Sequence, residues 1–388
     1  MSENLRELVK KRKDFHDRSR LAPFDIKLQE NYRSFRNFVS QQIHTAKISY
    51  FKKEFNNCKA DQVKRWKFIK MMITGSDKSK DSTITLKTND QSLSKNSQEV
   101  AEIFNTFFTS VGSNLADKLP PTDANFTDYF APQIEWDSRP KFSFYVVDST
   151  DILPIVDNLQ TKKATGPDKI SSRAIKENKL IILPILTYLV NLVIENSVFP
   201  DCLKIARVTP IFKKGDKQST NNYRPISILS TISKIVEKIL SNQITDFLET
   251  NSILTDCQFG FRRGRNTTTA INKLMEQLYE NFNLCNSTFG IFLDFSKAFD
   301  TINHEILVKK LLYNGFLPCA TSLIENYLKN RKQYVVLNTA VSQYRDINIG
   351  VPQGSNLGPL LFLIYINDLL NAAPALSYIL YADDTNIF

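Results

Sequence analysis

Apolar residues recur at helical spacing over Tyr32, Phe35, Val39, Ile43, Ala46 and Tyr50, with Arg33, Arg36 and Lys47 off the stripe. This predicts helices through residues 1–74, the stripe serving helix packing rather than a membrane face. A polar stretch, Gly75-Ser76-Asp77-Lys78-Ser79-Lys80-Asp81-Ser82, reads as a linker, followed by a short strand over 83–87. Asn96 with Glu99 forms a capping arrangement for a helix whose apolar face is Val100, Phe104, Phe107, Phe108 and Val111. Residues 115–142 hold Pro120, Pro121, Pro132 and Pro140 with little periodicity and read as a long loop. From about 149 onward helices and strands alternate. Helices are predicted at 150–159, 171–196, 229–249, 266–281 and 318–330, and a hairpin around 206–226. A strand and helix over 289–313 and a hairpin of 333–338 with 343–349 follow, then an apolar helix over 360–370 and a terminal strand–turn–strand. The best apolar run, 180–193, is broken by Pro184 and reads as a core helix, so no membrane partner is expected.

Charge separates the first segment from the rest. Residues 1–80 hold 20 Lys or Arg against 9 Asp or Glu, so the chain's net +10 resides there and the other 308 residues sum to −1. Such a basic segment suits nucleic acid, through phosphate neutralisation and counterion release. Lys10-Lys11-Arg12-Lys13 is open to two readings, a solvated helix face or a nuclear-import signal. The cysteines, Cys58, Cys202, Cys257, Cys285 and Cys319, are scattered, without a Cys-x-x-Cys pair, and the chain has only 3 histidines. That argues against structural zinc and a disulfide framework, and for reduced thiols in an intracellular compartment.

Three stretches carry candidate chemistry. Tyr381-Ala382-Asp383-Asp384 places two carboxylates at a tight turn between apolar strands. Such a pair is either a solvated turn or a cation site, because adjacent like charges repel until a cation inverts the local logic. The run from Phe289 to Asp294 reads as a strand ending in a carboxylate, and Asp300 reads as the N-cap of the following helix. If the two strands are neighbours, Asp294, Asp383 and Asp384 converge and would hold two Mg2+, hard ions that prefer oxygen and suit in-line phosphoryl displacement. Between them, Gly350-Val351-Pro352-Gln353-Gly354-Ser355-Asn356-Leu357-Gly358 forms a glycine-rich loop entering a helix, suited to close approach of phosphate or sugar.

The order Phe292-Leu293-Asp294-Phe295-Ser296-Lys297-Ala298-Phe299-Asp300, Gly350-Val351-Pro352-Gln353-Gly354, Tyr381-Ala382-Asp383-Asp384 resembles the reverse transcriptases of non-LTR retrotransposons. Lys163-Ala164-Thr165-Gly166-Pro167-Asp168, Ala206 to Asp216 with Asn222-Tyr223-Arg224-Pro225, and Gln258-Phe259-Gly260-Phe261-Arg262-Arg263-Gly264-Arg265 extend the likeness over 150–388.

The resemblance implies an α+β fold: right-hand polymerase fingers and palm, with an antiparallel palm sheet backed by helices. It divides the chain into a basic helical connector at 1–74, a linker with a short helix and Pro-rich loop at 75–148, a fingers-like part at 149–285 and a palm-like part at 286–388. Asp294, Asp383, Asp384 and the Phe295 carbonyl stand where the family binds metal. Phe299 stands where an aromatic excludes a 2′-hydroxyl, and Gln353 where a glutamine packs beside the nucleotide. Lys213 or Lys214, with Arg224, would neutralise the triphosphate, Arg through its planar fork. Arg262, Arg263 and Arg265 would contact template or backbone. The implied partners are an RNA template, a DNA primer and dNTP, and the implied setting is the nucleus. The family pattern continues into more palm and a thumb after the catalytic pair, so a chain stopping at Phe388 reads as truncated, its thumb missing. Two functions follow: RNA-directed DNA polymerase, or a catalytically dead relic that only binds nucleic acid.

Overall fold

In this computed structural model the described residues are 3–57, 65–66, 69, 84–87, 93–120, 125–130 and 138–388. The expected linker at 75–82 and Cys58 lie outside them. The chain divides into two compact units, Met1–Ser82 and Thr83–Phe388.

In the first unit, α1 (Glu3–Leu21) and α2 (Ile26–Asn57) form a helical hairpin. Its turn is held by the Gln29 Nε2, which donates to the Ser19 carbonyl at 2.7 Å. The helices meet through Phe15 on Phe35 and His16 on Tyr32, with Val39 the one buried residue of α2. The apolar stripe therefore makes a thin seam, not a core.

The second unit is a mixture of helix and sheet. It begins with β1 (Leu86–Lys87), β2 (Leu93–Ser94) and α3 (Ser97–Ala116). Asn96 caps α3 as expected, accepting from the Gln98 N–H, but Glu99 accepts from the Ser94 hydroxyl instead of closing the box. Three helices follow: α4 (Ser149–Asp157), α5 (Ser172–Glu177) and α6 (Lys179–Asn196). The helix expected over 171–196 is broken at Asn178, whose φ of −104° and ψ of 23° leave the helical well. Its side chain donates back to the Ala174 carbonyl at 2.9 Å, a local bond that competes with helix continuation.

Next come β3 (Ala206–Phe212), β4 (Tyr223–Ile228), α7 (Thr231–Thr250), α8 (Thr267–Asn283) and β5 (Ile291–Asp294). Then follow α9 (His304–Tyr313), α10 (Pro318–Leu328), β6 (Arg331–Leu337), β7 (Ala340–Val341) and β8 (Arg345–Ile347). The chain ends in α11 (Gly358–Ile366), β9 (Tyr378–Tyr381) and β10 (Asp384–Ile387). The expected hairpin over 333–349 gains the small extra strand β7.

The strands form two main sheets. A five-stranded one runs β4-β3-β6-β7 with β8 also on β6, and β3 lies parallel to β6. A three-stranded one runs β5-β10-β9 and is antiparallel throughout. The principal core gathers Ile152, Val190, Ile235, Leu240, Leu307, Leu323 and Leu361 from the helices. Helix α11 is apolar all round and sits in this core, as such a sequence must. A second cluster, Phe104, Phe108, Val208, Tyr223 and Val335, packs α3 on the larger sheet.

Helix α6 turns Leu186, Val190, Val193 and Ile194 into the core. Its other face leaves Leu180, Ile181, Ile185 and Tyr188 exposed, so the expected core helix is buried on one side only. Among the described residues it is the one helix long and apolar enough to cross a membrane by length and composition.

Candidate active site

The smaller sheet brings distant carboxylates together. Strand β5 ends at Asp294 and β10 begins at Asp384, and the ladder sets these two residues opposite each other. Asp383 lies in the two-residue turn between β9 and β10, one position away. The electrostatics agree with this proximity. Burial and then the neighbouring Asp383 and Asp294 push the Asp384 carboxyl above its ordinary range, while Lys213 opposes them. A hard oxygen set with mutual repulsion fits a divalent cation. Among the described residues, however, no three His, Cys, Asp or Glu side chains are gathered closely enough to form a metal-holding group. The backbone register is in place; the side-chain closure is not.

The turn carrying these carboxylates is braced from the segment before α8. Ala382 has φ of 57°, a left-handed conformation that costs an alanine about 1–2 kcal/mol. Gln258, 2% exposed, holds it: its Oε1 accepts from the Ala382 N–H at 2.9 Å and from the Gly260 N–H at 2.8 Å. Phe259 N–H donates to the Leu380 carbonyl, and Leu380 N–H to the Cys257 carbonyl, both at 2.8 Å. A Cβ at Gly260 would stand 2.2 Å from the Ala382 nitrogen, so only glycine admits the turn at this distance. Sequence reasoning missed Gln258 and Gly260 as parts of the site. The signal was a Gln and a Gly beside the arginines, with nothing local to name their partner.

The same segment explains its arginines. Arg262, its side chain 6% exposed, is paired with Glu249 and donates to the Thr255 carbonyl at 2.7 Å. The Arg262 bond holds the Glu249 carboxyl below its usual range. Arg263 pairs with Asp246 and Arg265 with Asp256. Arg262 therefore anchors the loop internally rather than reaching outward. Arg263, its side chain 64% exposed, keeps an outward face.

A cationic side of the site lies on the hairpin of β3 and β4 and on the turn after β5. Lys297, with φ of 56°, directs its Nζ to the Tyr223 carbonyl at 3.3 Å. Burial lowers its pKa, Asp300 raises it, and Lys213 and Arg224 lower it. Lys213 acts both on Lys297 and on Asp384, whereas no such influence from Lys214 accompanies it. Lys297 was in plain view inside the family-like stretch but carried no role in the sequence reading.

Phe299 stacks on Phe362 with ring centroids 5.1 Å apart and meets Phe261 edge-on at 6.0 Å. It is half-buried, and its carbonyl accepts from the Val351 N–H at 2.8 Å, which ties it to the glycine-rich loop. Gln353 follows in that loop; its Nε2 donates to both carboxyl oxygens of Asp300, at 2.9 and 3.1 Å. Asp300 is thus not the N-cap of α9. Asn303 is, accepting from the Glu305 and Ile306 N–H groups. Phe295 occupies the residue after Asp294, where β5 ends.

This arrangement was compared with known proteins. Residues 211–388 match the family described as Reverse transcriptase (RNA-dependent DNA polymerase). Over that stretch the chain is similar to a reverse transcriptase domain. The chain is 32% identical over 221 residues to the "Probable RNA-directed DNA polymerase from transposon BS" of Drosophila melanogaster, covering 56% of this chain and 24% of that protein. It is 28% identical over 245 residues to the "RNA-directed DNA polymerase from mobile element jockey" of the same species, covering 61% and 27%. It is 28% identical over 235 residues to the type-1 retrotransposable element R1 polyprotein of Bradysia coprophila, covering 59% and 22%. The proteins it is similar to are polymerases and polyproteins of mobile elements. The chain spans about a quarter of the length of these relatives.

Proposed function

We propose that the chain is an RNA-directed DNA polymerase that adds dNTP to a primer 3′-hydroxyl on an RNA template. The observation that carries this is the ladder position of Asp294 opposite Asp384, beside Asp383 in the turn. Asp294, Asp383, Asp384 and the Phe295 carbonyl would hold two Mg2+, which when bound steady the attacking and leaving oxygens of an in-line displacement. Lys213, Arg224 and Lys297 stand on the other side as counter-charges for a triphosphate; the shared influence of Lys213 on Asp384 and Lys297 favours it over Lys214. Phe299, held by Phe362 and the Val351 N–H, forms the wall that a 2′-hydroxyl would strike. Gln353 lies beside that wall. In this reading the smaller sheet and its helices are the palm, residues 149–285 supply most of the fingers, and the larger sheet joins β3 and β4 of that part to β6, β7 and β8. Arg263 and Arg265 are the remaining candidates for strand contacts.

Primer extension on an RNA template with Mg2+ tests the reading. Asp383→Asn should lower synthesis on the order of 100-fold or more, while RNA binding persists. Synthesis undiminished by that substitution would remove the carboxylates from the chemistry. A second reading, nucleic-acid binding without catalysis, draws on the +11 charge of residues 1–80. It predicts RNA retention with no extension by the unaltered chain. The tract Lys10-Lys11-Arg12-Lys13, on α1, is proposed as the import signal for a nuclear protein.

A further inference from the structure

We propose that the outward face of α6 is a dimerisation surface, on which a second copy of this chain lays the same helix antiparallel to the first. The inference stands apart from the polymerase reading and does not need it. Leu186, Val190, Val193 and Ile194 of α6 serve the core, and a helix with one buried face ordinarily carries charge on the other. Here the sequence from Leu180 to Ile194 contains no Asp, Glu, Lys or Arg. Leu180, Ile181, Ile185, Tyr188 and Leu192 stand outward instead, exposed from 41% at Leu192 to 83% at Leu180. Together they present on the order of 700 Å2 per copy, close to the roughly 800 Å2 that each partner gives to a standard protein interface. Tyr145 and Val146, both exposed, flank the same helix, since the next residue, Val147, exchanges two hydrogen bonds with Asn191 at 2.8 and 2.9 Å.

The spacing selects the occupant. Ile181, Ile185, Tyr188 and Leu192 follow one another at intervals of four, three and four residues, the alternation that two helices need to interlock along a seam. A lipid surface asks for no such register, and helices that lie on one carry Lys and Arg beside the apolar face, which α6 lacks there. Turned about a two-fold axis between Leu186 and Thr187, the stripe is complementary to itself. Ile181 then faces Leu192 of the second copy, and Ile185 faces Tyr188 of the second copy. Charge sets the direction. The seam position after Leu192 is Glu195, which is exposed. A parallel pair would press the two Glu195 carboxylates together. In the antiparallel pair each one reaches the N-terminal end of the other α6, where Asn178 makes no side-chain cap bond and the helix dipole favours an anion.

Sedimentation equilibrium of the full chain tests the surface, and its readout is mass, which does not depend on catalysis. The unaltered chain should dimerise with a dissociation constant of about 10 µM or below. Ile185→Glu sets a charge at the centre of the seam twice per dimer and should raise that constant on the order of 100-fold. Ile185 is exposed, so the monomer should keep its fold, which circular dichroism checks. A chain still monomeric at about 100 µM, or a dimer indifferent to Ile185→Glu, would overturn the inference. Oxidation reads the register. Ile181→Cys and Leu192→Cys in one chain should give a covalent dimer beyond any that the unaltered chain forms, because the antiparallel pair brings the two positions within disulfide reach. Neither substitution alone should do so. A covalent dimer from Ile181→Cys alone marks a parallel pair, and none from the two together leaves the helices apart; either result refutes the arrangement. Flotation with phosphatidylcholine vesicles addresses the other apolar occupant. A monomeric chain that binds the vesicles, and loses them in Ile185→Glu, would replace the second copy with lipid.

Discussion

Asp300 shows how one carboxyl can couple stability to pH. Burial pushes its pKa up to about 6, against the bonds from Gln353 and the charge of Lys297. In the unfolded chain the group titrates near 3.8. Between these values the folded state holds a proton that the unfolded state has released. Its contribution therefore favours the fold below the lower value, declines as pH rises through the window, and is a constant deficit above about 6. Asp300→Asn should abolish that slope and raise stability at neutral pH by on the order of 2 kcal/mol. Urea midpoints for both chains, inside and above the window, check this; equal slopes would refute it. The same residue marks where sequence reading stops. An Asp ahead of a helix pattern is a cap by local rules, but Asn303 meets those rules equally and stands at the helix start. The strand pairing that sets Asp294 opposite Asp384 was legible because family-like strings flank both. Gln258 and Gly260 were not, because their partner is Ala382, 124 residues from Gln258.

Elements were legible where a stripe of side chains meets one core. Helix α7 buries Ile235, Val236, Ile239, Leu240, Ile244 and Leu248 at the spacing that predicted it. The β3–β4 hairpin likewise follows from alternation, pairing Arg207 with Ile228 through Phe212 with Tyr223. What alternation could not disclose is that β3 also pairs in parallel with β6, since crossover partners leave no local mark. Nor could periodicity reveal the polar post inside α7. Glu237 is fully buried; it accepts from the Asn356 N–H at 2.6 Å and from the Tyr327 hydroxyl at 3.1 Å. Burial raises its pKa, and Arg331, also fully buried, lowers it. The Arg331 Nη1 donates to the Tyr327 carbonyl and the guanidinium lies 4.7 Å over the Tyr327 ring, while its Nε and Nη2 have no hydrogen-bond partner; the charge of Glu237 adds to these. This group ties α7, α10, β6 and the glycine-rich loop together. Glu237→Gln keeps the shape and removes the charge, leaving Arg331 buried without an anion. It should cost about 3 kcal/mol in urea unfolding, since removing one of two buried opposite charges leaves the other uncompensated. It should also raise KM for dNTP, because Asn356 lies three residues after Gln353. Stability within about 0.5 kcal/mol of the unaltered chain would show that Arg331 finds other compensation.

At the scale of the whole molecule, charge is partitioned rather than spread. Residues 84–388 contain the carboxylates and their cationic neighbours, while the excess of Lys and Arg lies in residues 1–80. A near-neutral remainder gives little long-range pull on a polyanion, so in the proposed polymerase the capture of RNA would fall to the basic segment. Helices α1 and α2 bury little, which leaves their charged faces to solvent. Each phosphate neutralised releases condensed counterions, and for single strands the affinity falls with salt at about 0.7 log units per contact per log of salt. Replacing Lys10, Lys11, Arg12 and Lys13 together by Gln removes four charges from one helix without touching its seam residues, Phe15 and His16. If all four meet phosphate, the slope against salt should flatten by roughly 3, with weaker binding at low salt and convergence at high salt. Filter binding of a single-stranded RNA across a salt series reads this directly. An unchanged slope would place the phosphate contacts elsewhere, on Arg263, Lys213 and the other cations of the larger unit. Catalysis offers the complementary readout: at saturating template the Gln variant should retain its kcat, because these lysines then act in capture and not at the carboxylates.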